Sequence, residues 1–137
     1  MASRRKGRIA AFQALYAYDI TPDSDLDAFL WTHDESKPEP EWVNFSRLLF
    51  RGTLEQLEEV DKRISDHLEH WEISRVQRID LAILRMSVYA LCFQKSIPAR
   101  VTIDEAVHLA RDFGSDESYR FVNGVLDSIF HSLDEVS

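Results

Sequence analysis

The sequence predicts an all-α fold of six or seven helices in two packed sub-bundles, about residues 1–72 and 73–137. Three observations lead there. Apolar residues recur at steps of three and four through nearly every segment. No run of four to eight residues alternates with β-branched enrichment, so no strand is expected. Gly and Pro, four of each in 137 residues, stand at a few breakpoints. A chain of this length is expected to form one domain that buries most of its unfolded surface without a metal or disulfide, and an apolar content of 45% fits a packed globule.

Residues 4–19 carry Ile9, Phe12, Leu15 and Tyr16 on one face, an amphipathic helix that Pro22 must end because it breaks the hydrogen-bond ladder. Residues 24–33, with Leu26, Phe29 and Leu30, predict a short second helix, and Pro38 and Pro40 mark a loop over 36–40. From Trp42 to Trp71 helical spacing continues, as one long helix or two collinear ones. Gly52 in its middle costs about 1 kcal/mol relative to Ala and suggests a bend, a close helix crossing or a loop. A short turn is expected at Ile73 and Ser74. Asp80 is then expected to cap a helix burying Leu81, Leu84, Val88, Leu91 and Cys92, which Pro98 ends. Thr102 and Glu105 have the spacing of a capping box opening a further helix, and Gly114 is expected to close it in the left-handed conformation. Ser115, Asp116 and Glu117 supply a cap and two acids before a last helix with Val122, Val125, Leu126, Ile129 and Leu133 inward.

Charge is distributed unevenly. Arg4, Arg5, Lys6 and Arg8 form a basic arm with no acid among the first eight residues, leaving twelve bases against twenty-four acids in the rest of a chain whose net charge is −8. Such an arm attracts phosphate without regard to sequence, whereas the acidic body repels it unless a basic partner shares the contact. A solvated, frayed terminus is the alternative reading.

Enzyme chemistry finds little support. There is no G-x-G-x-x-G, no P-loop and no C-x-x-C. His67 and His70 are spaced for one helix face, but without a third ligand they read better as a hydrated surface than as a metal site, so no metal or cofactor is expected. Adjacent acids such as Glu58 and Glu59 point apart on a helix. The one cysteine, Cys92, forbids an internal disulfide and suits a reducing cytoplasm. Neither a membrane span nor a signal peptide is expected. Two features resist a purely structural account. Phe121 lies off the main apolar stripe, where it can stack on an unpaired base or sit at the core edge. Asn123 and Gly124 lower helix propensity inside a helix, which points to function or to a tight helix crossing.

Three stretches carry a family resemblance. They are Arg4-Arg5-Lys6-Gly7-Arg8 with Phe12-Gln13-Ala14-Leu15-Tyr16, then Ile79-Asp80-Leu81-Ala82-Ile83-Leu84-Arg85, then Ile97-Pro98 through Phe121-Val122-Asn123-Gly124-Val125-Leu126-Asp127. On these the chain resembles the NusB family from Arg4 nearly to its C-terminus. Thr102-Ile103-Asp104-Glu105-Ala106 and the block beginning at Phe121 look like the family's signature blocks at the family's separation. Residues 21–60 match only in helical pattern and length.

The resemblance implies a NusB-like two-sub-bundle fold and a non-enzymatic transcription antitermination factor. Its implied partner is NusE, a basic protein of the small ribosomal subunit. The heterodimer would recognise single-stranded boxA RNA and join RNA polymerase through other Nus factors to support processive elongation, notably of ribosomal RNA operons. By motif, Arg4, Arg5, Lys6 and Arg8 are expected to meet phosphates, and Tyr16, Asp80, Arg85 and Phe121 to lie at or near the RNA. Tyr16 and Phe121 can stack on bases, Arg85 can fork onto phosphate or a base edge, and Asp80 can accept from an exocyclic amine. Glu117 stands where an acid would hold RNA affinity down. The competing readings are the RNA-binding part of a ribosomal RNA methyltransferase and a helical protein–protein adaptor.

Overall fold

The computed structural model describes residues 2–23, 26, 40–69 and 72–136, with side chains from Arg4 to Leu133. Within them it is all-helical: α1 (Ala2–Ile20), α2 (Glu41–Glu55), α3 (Leu57–Asp66), a 3-10 turn (Ile73–Arg75), α4 (Arg78–Phe93), α5 (Ala99–Phe113) and α6 (Ser118–Val136). No strand occurs among the described residues. The short helix expected over 24–33 and most of the loop over 36–40 lie outside them.

Apolar periodicity places α4 at the centre. Its residues Leu81 to Leu84 and Met86 to Leu91 are buried on nearly every side, and it lies against each of the other five helices. α1 packs on α2 and α5 on α6, so the largest buried side chains, including Leu49, Ile64, Ile83, Leu84, Leu126 and Ile129, belong to one continuous core. The last helix turns its expected stripe inward, with Val122, Val125, Leu126 and Ile129 buried and Leu133 partly so.

Gly52 does not bend the helix it sits in. The break falls at Gln56, between α2 and α3, while Gly52 is buried where a Cβ would overlap the ring of Tyr89. Of the three alternatives for Gly52, the close crossing is the one found, α2 lying on α4. The second part of the segment ends at Asp66, short of the expected Trp71.

Four expected helix ends are corrected. Asp80 does not cap α4: the helix begins two residues earlier behind Gln77, and Asp80 is buried in its first turn. Pro98 stands in front of α5 and does not end α4, which stops at Phe93. Thr102 and Glu105 form no capping box, because the Thr102 N–H already donates to the Pro98 carbonyl at 3.2 Å, inside the helix. Gly114 is extended (φ −94°, ψ −169°), not left-handed. It is required for space, since a Cβ there would stand 2.7 Å from the Ala110 carbonyl oxygen and collide with the Ser118 side chain. The start of α6 is tied instead by the Ser115 N–H, which donates to the Ser118 hydroxyl at 2.9 Å.

Candidate nucleic-acid interface

The basic arm is the first turns of α1, helical from Ala2, and α1 presses on α2 at Gly7, where a Cβ would lie 2.7 Å from the Trp42 carbonyl oxygen. That contact sets the directions of the four cations. Arg4 forks onto Glu41 (2.9 and 3.1 Å) with its guanidinium 4.3 Å from the Phe45 ring centre, and Lys6 lies 4.8 Å from that of Trp42. Arg5 donates from Nε and Nη2 to Glu105 Oε2 at 3.2 and 2.8 Å. Arg8 reaches the same carboxylate at 3.4 Å, with its guanidinium 5.1 Å from the Phe45 ring centre.

The four are not equivalent. Arg4, Arg5 and Lys6 are exposed, whereas Arg8 is buried and its guanidinium is pushed down by that burial, with Glu105 pulling it back. Arg5 is raised by its hydrogen bond and charge pairing with Glu105. Beside them opens a cleft of about 660 Å³ between α1 and the segment Ser96 to Val101, with Ile97, Pro98 and exposed Val101 as its apolar wall. Cations over apolar surface suit a phosphate backbone whose bases or sugars lie against the wall.

α1 carries this cleft toward the second group. Arg5 meets Glu105 and Phe12 meets Phe113, ring centres 5.0 Å apart, so side chains of α1 reach α5 at two levels that follow the same chain direction. From Glu105 to the end of α5 at Phe113 is eight residues, about 12 Å along the helix axis. There, Asp80, Glu117, Ser118 and Phe121 surround a cavity of about 220 Å³ together with Val76, Gln77, Ser115 and Arg120. Phe121 is half-buried at the core edge. Asp80 is buried, and its Oδ1 has no hydrogen-bond partner. Burial pushes this carboxyl above its ordinary value, while a hydrogen bond with Ser118 draws it back. Glu117 is exposed at the rim, 3.8 Å from Arg120 in a solvated pair.

Asp80, Glu117 and Phe121 are therefore brought together. Tyr16 is half-buried against the core. Arg85 stands apart. It forks onto Asp61 at 2.9 Å through Nε and Nη2 and reaches Asp19 at 3.3 Å, with 13% of its side chain exposed, so it ties α4 to α3 and α1. Three residues stand at the interface without having been expected there from the sequence, Glu105 having been read only as a capping-box residue. Glu105 gathers two arm cations, Ser118 bonds Asp80, and Arg120 lines the Phe121 cavity. The Arg5–Glu105 pairing spans 100 residues and Asp80–Ser118 spans 38, distances over which local pattern carries no signal.

Among the described residues, no three His, Cys, Asp or Glu side chains converge for a metal, and no helix is long and apolar enough to cross a membrane. His67 bonds Ser128 at 2.7 Å, and His70 lies outside the described residues.

These are the groups of a helical binding protein: a basic cleft and, at a separate cavity, a half-buried aromatic beside a buried carboxylate. Comparison with known proteins gives the family. Residues 5–131 match the NusB family, and the chain belongs to it. It is 54% identical over 132 residues to the transcription antitermination protein NusB of Treponema pallidum (strain Nichols), covering 94% of this chain and 93% of that one. It is 40% identical over 130 residues to the same protein of Bacillus pumilus, covering 95% and 96%. Among solved structures, T. maritima NusB superposes with a TM-score of 0.82 at 39% identity over 93% of this chain and 90% of that one. A chain from a crystal structure of the antitermination factors NusB and NusE with dsRNA superposes at 0.82, with 25% identity over 96% and 98%.

Proposed function

We propose that this chain is a cytoplasmic transcription antitermination factor that, with NusE, binds boxA RNA of nascent ribosomal RNA transcripts and supports processive elongation by RNA polymerase and other Nus factors. It binds and does not catalyse. The observation that carries this reading is the likeness, over 94% of the chain, to a relative named as a transcription antitermination protein. The relatives that it covers to 93% and 96% of their own length are named as transcription antitermination proteins, which favours that reading over a methyltransferase. The geometry supports it. Arg4, Arg5 and Lys6 offer exposed cations to phosphates, and Phe121 offers a ring face beside the Asp80 carboxylate. Unpaired RNA is the form whose bases are open to such contacts, since stacking on an aromatic needs a splayed base.

The experiment is fluorescence anisotropy with single-stranded boxA RNA, a scrambled strand and a duplex. Changing Arg4, Arg5 and Lys6 to Ala should weaken binding to every RNA and reduce the salt slope by about 2, at ~0.7 per lost contact. Arg8 is left in place because it is buried. Phe121→Ala should cost about 1–3 kcal/mol on both single strands and leave the duplex, whose bases are not splayed, little changed. Glu117→Gln should tighten binding a few-fold by removing a rim charge. Unchanged affinity in the arm variant would support the adaptor reading instead.

A further inference from the structure

Glu105 serves two cations at once. It is sheltered, with 16% of its side chain exposed, and it stands between buried Arg8 and exposed Arg5. Arg5, Arg8 and Glu105 all line the cleft of the basic arm. Arg8 holds the carboxylate in place, because a buried guanidinium stripped of its counter-charge is costly. Glu105 is therefore anchored on one side before any ligand arrives.

The edge by which it holds Arg5 decides what Arg5 can still do. A guanidinium has a side edge, Nε with one hydrogen of Nη2, and an end edge, Nη1 with the other hydrogen of Nη2. Glu105 takes the side edge at 3.2 and 2.8 Å, and Nη1 has no partner among the described residues. Arg85 shows in the same molecule what this arrangement accepts. Asp61 holds its Nε and Nη2 at 2.9 Å each, and its Nη1 meets a second carboxylate, Asp19, at 3.3 Å. Arg5 has the first anion without the second, and it borders an open cleft. Arg4 is held by the same edge, at 3.1 and 2.9 Å, but its acid, Glu41, is 58% exposed, so solvent screens and loosens that pair.

We infer that Glu105 is a positioning residue for RNA: it fixes the Arg5 guanidinium by its side edge so that the end edge takes a backbone phosphate of a strand lying in the cleft. The inference rests on the RNA-binding reading above and adds a residue to it. Ordering a long side chain at an interface costs affinity, and with Glu105 in place Arg5 is ordered before the strand arrives. On charge alone an acid beside a phosphate site repels RNA, as Glu117 is expected to do at the other cavity. At Glu105 the sign is reversed, because two arginines take up its charge and what it supplies is geometry.

Glu105→Gln removes a negative charge yet should weaken boxA RNA binding about two- to tenfold, the range for losing the order of one long side chain. Glu41→Gln makes the same charge change at a solvated pair and should instead tighten binding slightly. In an Arg5→Ala background Glu105→Gln should no longer weaken binding, whereas a carboxylate that only braced α1 on α5 through Arg8 would still do so. NMR of the arginine Nε–H groups in the parent covers a Glu105→Gln chain that does not fold. The Arg5 Nε–H should be protected from exchange in the free protein and stay protected in the RNA complex. If Glu105→Gln tightens binding, or if RNA releases the Arg5 Nε–H, Glu105 competes with phosphate, and the inference is overturned while the RNA reading stands. If the parent binds no RNA, the reading itself fails and takes the inference with it.

Discussion

Asp80 combines two demands that oppose each other. It is buried in the first turn of α4 with one oxygen unpartnered, and the proposed contact with a base amine would need it ionised to accept at full strength. Burial raises its carboxyl pKa in the folded chain above the unfolded value, with Ser118 opposing. A raised folded pKa means that the folded state binds the proton more tightly. Its contribution to stability is complete below the unfolded pKa and is lost as pH rises through the raised one, so at neutral pH the ionised carboxylate is a cost. Asp80→Asn should therefore have a higher Tm than the parent at neutral pH, and the difference should close as pH falls through the range just above ordinary carboxylate values. Thermal melts across pH check this, and a constant difference would contradict it. Of the residues named from the sequence, Phe121, Asp80 and Glu117 do meet around one cavity, because they sit within a turn or two of the starts of adjoining helices. Arg85 was legible as a candidate RNA contact only through motif likeness. The structure commits its donors to Asp61 and Asp19, acids 24 and 66 residues away that no pattern links to it.

At the scale of the elements, packing decided what propensity could not. Helix positions were legible because each buries a 3.6-residue stripe, and α1, α2, α4, α5 and α6 all fall where periodicity places them. Their ends were not. α5 starts at Ala99 because Pro98 supplies the first carbonyl without needing a donor, and Glu105, free of any capping duty, turns to the arm. The arm is accordingly helical and braced, neither frayed nor extended. The crossing at Gly52 is the sharpest of these contacts. Gly52→Ala should gain helix propensity yet lose stability, by about 1–3 kcal/mol, because the methyl group meets the Tyr89 ring. Urea denaturation measures the sign, and a stabilised variant would mean that α2 moves freely off α4.

The whole molecule presents cations at one end of an otherwise acidic body. In the proposed function, a chain at net −8 has to bring RNA to Arg4, Arg5 and Lys6 against the repulsion of its own remainder. A basic partner seated beside the arm would cancel that repulsion and lengthen the phosphate track, which is the physical role that the proposed function assigns to NusE. Fold class, family and the identity of the arm were legible from sequence, since composition and motif order carry them. The cavity that Asp80 and Phe121 share was not, because it depends on how α4 and α6 meet. The most direct test is the dissociation constant of the boxA strand, measured by anisotropy at two salt concentrations with and without NusE. The account predicts weak, salt-sensitive binding by the chain alone and much tighter, sequence-selective binding with NusE present. Equal affinity in both cases would contradict it.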